Sequence, residues 1–272
     1  MTSKTSIKLG SVQSTLLLPL WGRAIETKKR NPLLKDETAA RIIEQVDYDF
    51  AKIAPNIHDI TQFEWICRGI HIDKAIRELL QKHPKATIVN IGCGLDTTFD
   101  RVDNGKLYWY DLDLPDVIEL RQKFILENER RKFIACSFLD DSWFKQIHVE
   151  DSILFMAAGV LYYLEETKLK DIFKKLSCAF PSAEFIFDAA SAIGVKTANQ
   201  KLLGKVGLDE SSFMKWSIES SEELKNWDIK FDFIKEFLMF KNIKKSLSLR
   251  NKIVAYFSDR YKMMYMIHLR FK

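Results

Sequence analysis

The sequence predicts an α/β fold, a doubly wound and mostly parallel sheet with helices on both faces, and three observations carry that reading. Apolar runs of strand length alternate with longer amphipathic stretches from Thr87 to Asp188, the alternation that builds βαβ units. The first run, Thr87-Ile88-Val89-Asn90-Ile91, passes directly into Gly92-Cys93-Gly94. Glycine has no Cβ, so the chain can turn sharply there and a ligand can lie against the backbone. About twenty residues on, the run Leu107-Tyr108-Trp109-Tyr110 ends in Asp111-Leu112-Asp113, where nucleoside-binding sheets place a carboxylate for ribose hydroxyls. Together these features describe a site for an adenosine-containing cofactor.

The whole chain sets wider bounds. Its 272 residues fit one large domain or a domain with an added cap. Hydrophobic residues make up 47% and charged residues 29%, enough apolar side chain for a real core. The net charge of +5 is spread over 42 basic and 37 acidic residues, a solvated surface rather than a nucleic-acid face. No run approaches ~20 apolar residues, so no membrane span is expected. Leu16-Leu17-Leu18-Pro19-Leu20-Trp21 is too short for a signal-peptide core and lacks a small-residue cleavage site after it, so a cytoplasmic location is expected. Cys67, Cys93, Cys136 and Cys178 have no paired spacing and the five histidines form no helical pair. Free thiols and no metal are the expectation.

Taken in order, residues 1 to about 12 read as a polar, disordered tail. An apolar stretch from Val12 to Arg30 and the Asn31-Pro32 break precede a helix that Asp36 can cap, its carboxylate accepting from a free first-turn amide. Ala39, Ile42, Ile43, Val46 and Phe50 follow at helical spacing. A second helix, about Asp59 to Gln81, buries Phe63, Ile66, Ile70, Ala75 and Leu79. Residues 1–84 thus form a tail and a helical cover over the cofactor edge of a core spanning 85–272. In that core a helix opens at Pro115, a residue suited to the first helical position. Phe133-Ile134-Ala135-Cys136 is the third strand, and Ile153 to Gly159 holds the fourth strand and its loop. A helix from Glu165 to Phe180 stops at Pro181, and Glu184-Phe185-Ile186-Phe187-Asp188 is the fifth strand. Beyond it an insert at about 189–230, rich in Lys, Ser and Gly, reads as short helices. Phe231–Phe240 and Met263–Phe271 are strand-like around a helical Ser246–Phe257.

Ligands of open α/β sheets bind beyond the carboxyl ends of the strands. Gly92 and Gly94 allow close approach, and Asp111 and Asp113 are ribose candidates, with capping of the Pro115 helix as the other role for either. Two acids at this point disfavour a phosphorylated dinucleotide, because like charges repel, and suit a nucleoside bearing a cationic sulfonium. Thr97 stands where a dinucleotide loop carries its third glycine.

The block Gly92-Cys93-Gly94-Leu95-Asp96-Thr97 with Asp111-Leu112-Asp113-Leu114-Pro115 resembles the leucine carboxyl methyltransferase family. That branch of the class I S-adenosylmethionine (SAM) methyltransferases also holds tetracenomycin-type polyketide O-methyltransferases. The likeness runs from about Thr15 to Asp188. It implies a Rossmann-like sheet of seven strands, closed by two antiparallel ones, and SAM as cofactor. Within Arg68-Gly69-Ile70-His71-Ile72-Asp73 it implies that Arg68 pairs with the cofactor carboxylate, which a guanidinium fork meets bidentately. It implies cofactor contacts for Asp96 in the loop and ranks Asp113 above Asp111. At the third strand end the family has an acid and an apolar residue on the adenine. Ser137-Phe138 stand there here, and Asp140 is positioned to take over at the adenine amino group. Ala157-Ala158-Gly159-Val160-Leu161-Tyr162-Tyr163-Leu164 matches the family's Glu-Gly-Val-Leu-Met-Tyr stretch, with Ala158 in place of the glutamate. Tyr163 aligns with the tyrosine near the transferring methyl, and Tyr162 is an addition.

The implied function is O-methylation of a hydroxyl or carboxyl on a small molecule or peptide, with no nucleic-acid or membrane partner and the oligomeric state open. A carboxylate acceptor needs no base; for a phenol, His148 or His71 is a candidate. One rival is a nicotinamide oxidoreductase using Gly92-Cys93-Gly94, against which stand Thr97 and the lack of a Tyr/Lys pair. The other is a non-catalytic SAM-binding protein, supported only by Ala158.

Overall fold

The computed structural model describes residues 5–6, 11–50, 57–205, 213–241, 243 and 246–272. Two short strands, Thr5–Ser6 (β1) and Val46–Asp47 (β2), pair in parallel. The rest of the expected tail, residues 1–4 and 7–10, lies outside the described residues. The main sheet holds Thr87–Ile91 (β3), Tyr108–Asp113 (β4), Arg131–Ala135 (β5), Ile153–Ala157 (β6), Glu184–Ala189 (β7), Phe231–Leu238 (β8) and Tyr265–Phe271 (β9). Their spatial order is β5-β4-β3-β6-β7-β9-β8. The chain moves outward from β3 through β4 to β5, then returns to lay β6 on the other side of β3. A crevice therefore opens beyond the carboxyl ends of β3 and β6, where strand order reverses.

The strands β3 to β7 are parallel, and their central members are buried on both faces, which is why they read as continuous apolar runs. Of the two closing strands expected to be antiparallel, only β9 opposes the rest. It lies between β7 and β8 and is antiparallel to both, so β8 runs with the parallel set.

Among the described residues the α-helices are Ser11–Thr27 (α1), Glu37–Gln45 (α2), Asp59–Lys82 (α3), Thr98–Val102 (α4), Pro115–Gln122 (α5), Glu166–Ala179 (α6), Ala192–Lys205 (α7) and Leu249–Arg260 (α8). Asp36 caps α2 as expected, its side chain accepting from the Ala39 amide at 2.9 Å. The helix stops at Gln45, short of the expected Phe50, because Val46 turns extended to pair with Thr5. Phe50 instead stacks on Trp21, ring centroids 6.0 Å apart. After β7 the insert forms the 14-residue helix α7 rather than only short pieces.

Apolar side chains pack on both faces of the sheet. A third cluster joins the cover to the sheet: Leu17, Leu20 and Ala24 of α1 and Ala39 and Ile42 of α2 meet Leu95, just after the glycine turn, and Leu120. Removing these surfaces from water holds α1 and α2 against the segment that follows the glycine turn. Among the described residues no helix is long and apolar enough to cross a membrane, and no group of His, Cys, Asp or Glu has metal-site geometry. The four cysteines are free.

Candidate active site

At the point where strand order reverses, both bordering strands end in glycine turns with left-handed backbone. Gly92, Gly94 and Gly159 have φ of 63°, 46° and 79°, values at which a Cβ is strained. A Cβ at Gly92 would also overlap the Val160 side chain, so the two turns touch. The Gly92 and Cys93 amides donate to the Leu112 carbonyl at 2.8 and 3.1 Å. The Gly94 amide donates to Asp113 Oδ2 at 2.7 Å, and the Leu114 amide to Oδ1 at 2.8 Å. Each carboxylate oxygen accepts more than one bond, so Asp113, at the very end of β4, keeps acceptor capacity for hydroxyl donors. Burial pushes its carboxyl above the ordinary range, against the pull of those two amides.

Across the crevice a buried charge cluster surrounds Gly159. Arg68, on the inner face of α3, has Nε 3.0 Å from Asp188 Oδ2 and Nη2 3.6 Å from Glu64 Oε1. Asp188, fully buried near the end of β7, accepts the Gly159 amide on its other oxygen at 2.7 Å. An added Cβ on Gly159 would stand 2.7 Å from Arg68 Nη1 and 3.3 Å from the Tyr162 hydroxyl. The guanidinium therefore lies against bare backbone, in a space that only glycine leaves open. Burial disfavours the Arg68 charge, but Asp188 and the other groups around it, Glu64 among them, together outweigh that and hold the guanidinium above its ordinary value. The Tyr162 and Tyr163 rings meet edge to face at 4.8 Å. Burial pushes both phenols up, so they stay protonated and can donate. The Tyr162 carbonyl accepts from the Lys215 and Trp216 amides at 2.6 and 3.1 Å, which ties the insert to this loop. Ala158 is half-buried. The β6–β7 register, ending at Ala157 opposite Phe187, sets it beside Asp188.

The other predicted residues divide. Asp111 is not at the crevice. It is fully buried, and its carboxylate accepts from Asn90 Nδ2 at 3.0 Å, Trp109 Nε1 at 2.8 Å, Arg121 Nη2 at 2.8 Å and Arg131 Nε at 2.9 Å. Two residues back from Asp113, it sits ~7 Å deeper along the strand, and two buried guanidinium groups need it there. Asp96 accepts from the Thr98 amide at 2.8 Å and lies 3.8 Å from Arg23 of the cover. Burial would raise its carboxyl, but the Arg23 and Arg101 charges hold it below the ordinary value. Ser137 accepts from the Leu139 amide at 3.3 Å, while the Phe138 side chain turns into the core toward Trp143. Asp140 is exposed and caps the next helical turn through the Ser142 amide at 2.9 Å. His71 is occupied by the Met239 carbonyl at 3.1 Å, and burial lowers its pKa.

Three contributors lay outside the sequence-based set. Asp188 carried the signal of an acid ending an apolar strand. Arg121 had no local signal, yet from α5 it donates to the Gly94 and Asp96 carbonyls, both at 2.8 Å, and braces the glycine loop from below. Asp36, expected only as a cap, also accepts from Thr97 Oγ1 at 2.6 Å, Arg23 Nε at 2.9 Å and Arg101 Nη1 at 2.7 Å. Thr97 thus fastens the cover to the loop at the position where a dinucleotide fold needs a third glycine.

The family model for leucine carboxyl methyltransferase matches residues 17–177. The tetracenomycin polyketide synthesis O-methyltransferase TcmP of Streptomyces glaucescens is 30% identical over 185 residues, 68% of each chain. An S-adenosyl-L-methionine-dependent methyltransferase of Gibberella zeae, dpfgK, is 26% identical over 209 residues, 70% of each chain. Among solved structures, a SAM-dependent methyltransferase from Mesorhizobium loti superimposes with TM-score 0.51 at 17% identity, covering 76% of this chain and 97% of its own. A DUF574-family protein from Streptomyces avermitilis gives TM-score 0.57 at 11% identity, over 93% and 97%. These two likenesses concern the fold. On the family match and the relative at 30% identity, the chain belongs to the leucine carboxyl methyltransferase family and is a SAM-dependent methyltransferase.

Proposed function

We propose that this methyltransferase transfers the methyl to oxygen, on a hydroxyl or carboxyl group of a small molecule or peptide, with an acceptor ionised before it binds suiting the site best. One observation carries the cofactor placement: a buried guanidinium, Arg68, laid against Gly159 and aimed by Asp188. A carboxylate-bearing ligand in the crevice meets a pre-oriented fork whose Nη1 edge borders bare backbone. Asp113, with spare acceptor capacity at the strand end, suits the ribose hydroxyls, and Ser137 and the Phe138 backbone suit the adenine edge. Asp140 already serves as a cap.

SAM supplies an electrophilic methyl on a cationic sulfonium. The protein's part is to hold donor and acceptor together and keep water out. The cover, joined to the loop through Asp36, Thr97 and Arg23, serves exclusion. Tyr162 and Tyr163, kept protonated by burial, suit donation to an acceptor oxygen rather than proton removal. His71 is held away by Met239. These features favour a carboxylate, which needs no base, over a phenol. TcmP is an O-methyltransferase by name, which supports oxygen as the accepting atom.

Titration calorimetry tests the placement. SAM or its demethylated product is expected to bind with micromolar affinity, about −8 kcal/mol, and NAD far more weakly. Arg68→Ala is expected to weaken SAM by roughly 2–5 kcal/mol and leave a SAM analogue lacking the carboxylate unchanged. Equal loss with that analogue makes Arg68 structural; equal or tighter binding of NAD refutes the cofactor reading.

A further inference from the structure

Helix α8 is built inside out. Its buried positions are Asn251, Ala255, Ser258 and Asp259, whereas Leu249, Ile253, Tyr256 and Phe257 are 76%, 54%, 57% and 51% exposed. At 3.6 residues per turn these four side chains fall on one face. Val254 and Tyr261 extend that face along its edge, and both are exposed. Exposed Ile193 of α7 stands near the same end: Ser191 Oγ donates to the Tyr261 carbonyl at 2.8 Å, and Gly194 packs on the Met263 backbone. An apolar helix face turned to water is the reverse of what folding alone selects.

Charge identifies the kind of partner. Arg250, Lys252 and Arg260 are all exposed on α8, and Lys241 precedes it. The only acid of the helix, Asp259, is buried and accepts the Phe240 amide at 3.1 Å. One acid of α3, Asp59, is exposed at the start of that helix and is engaged by Asn251 Nδ2 at 3.3 Å, so the cations of α8 outnumber it. A second copy docked face to face would set cations against cations, so self-association is disfavoured. Aliphatic side chains, interfacial tyrosines and basic residues on one exposed helix match an anionic lipid surface, where apolar groups sink among acyl chains and cations stay at the headgroups.

We propose that α8 docks this enzyme on an anionic lipid surface. The location gives the docking a purpose. The strand β8 ends and β9 begins at the edge where β7 ends, with Leu238, Tyr265 and Ala189 in register. The connection carrying α8 therefore leaves and re-enters the sheet at the carboxyl rim, the same edge as Gly92, Gly159 and Arg68. A surface bound by α8 lies beside the crevice.

Co-sedimentation of the full chain with vesicles tests this, using phosphatidylcholine alone and phosphatidylcholine containing about a third phosphatidylglycerol. Binding to the anionic vesicles is expected to be at least about tenfold tighter and to fall steeply with salt. Ile253→Ser with Phe257→Ser, and separately Arg250→Gln with Lys252→Gln and Arg260→Gln, are each expected to lose about tenfold or more. All five positions are exposed, so thermal unfolding of both variants should match the parent, and the two sets check each other. The proposal is overturned by absent or equal binding to the two vesicles, or by variants that bind like the parent. It is also overturned by a concentration-dependent dimer in sedimentation equilibrium that Ile253→Ser with Phe257→Ser disperses, which would assign the face to a second copy.

Discussion

Replacing Asp36 by alanine tests how the cover is held on the cofactor loop. The carboxylate is 1% exposed and accepts from the Ala39 amide, Arg23, Thr97 and Arg101. Losing the helix cap costs about 1 kcal/mol. The larger cost falls on Arg23, which is buried and, among the described residues, left with only Asp96 at 3.8 Å; stranding a buried charge costs roughly 3–5 kcal/mol. Arg101 keeps Asp73, whose two oxygens it meets at 2.8 and 2.9 Å, so it adds little. The expected loss is about 4–6 kcal/mol, most of it from the orphaned Arg23. Urea unfolding with matched slopes measures it. Because the stranded charge dominates, Arg23→Met in the Asp36→Ala background should recover much of the loss, removing both partners being cheaper than removing one. A loss below about 1 kcal/mol, or a double variant costing the sum of the singles, refutes the reasoning.

Two further outcomes follow from the geometry. Gly159→Ala places a Cβ 2.7 Å from Arg68 Nη1 on a backbone with φ of 79°; about 1–2 kcal/mol of strain and lower SAM affinity are expected in calorimetry, and unchanged affinity would remove Arg68 and Gly159 from the cofactor site. Glu184 is pulled up by burial, yet the bonds from His268 and Arg270 dominate and hold its carboxyl at about 2, against an ordinary 4.5. A depressed acid stabilises the fold fully above its unfolded pKa and progressively less as pH falls from about 4.5 toward 2. Glu184→Gln should flatten stability against pH across that window in urea titrations, and equal slopes for variant and parent would contradict the assignment.

The sequence by itself determined the features that depend on neighbouring residues. Runs such as Thr87–Ile91 and Ile153–Ala157 are legible because a parallel strand buried on both faces must be apolar throughout. Gly92 and Gly94 are legible because a sharp turn after a strand needs residues without a Cβ. The Asp36 cap and the Pro115 helix start obey equally local chemistry, and the family resemblance added Arg68.

Only the tertiary structure decided how deeply each of two similar acids lies. The family resemblance ranks Asp113 above Asp111 without a physical reason; two residues of depth and the arrival of Arg121 and Arg131 bury Asp111 and leave Asp113 at the rim. The Arg68–Asp188–Gly159 cluster and the Asp36–Thr97 bond join elements distant in the chain, and nothing in either segment names its partner. The inverted face of α8 was likewise hidden, since its periodicity shows an apolar side but not which side meets the sheet. In each case the physical reason is the same. Strand order and crossover direction set which segments meet and how deeply each residue lies, and these come from packing the whole sheet rather than from any single stretch.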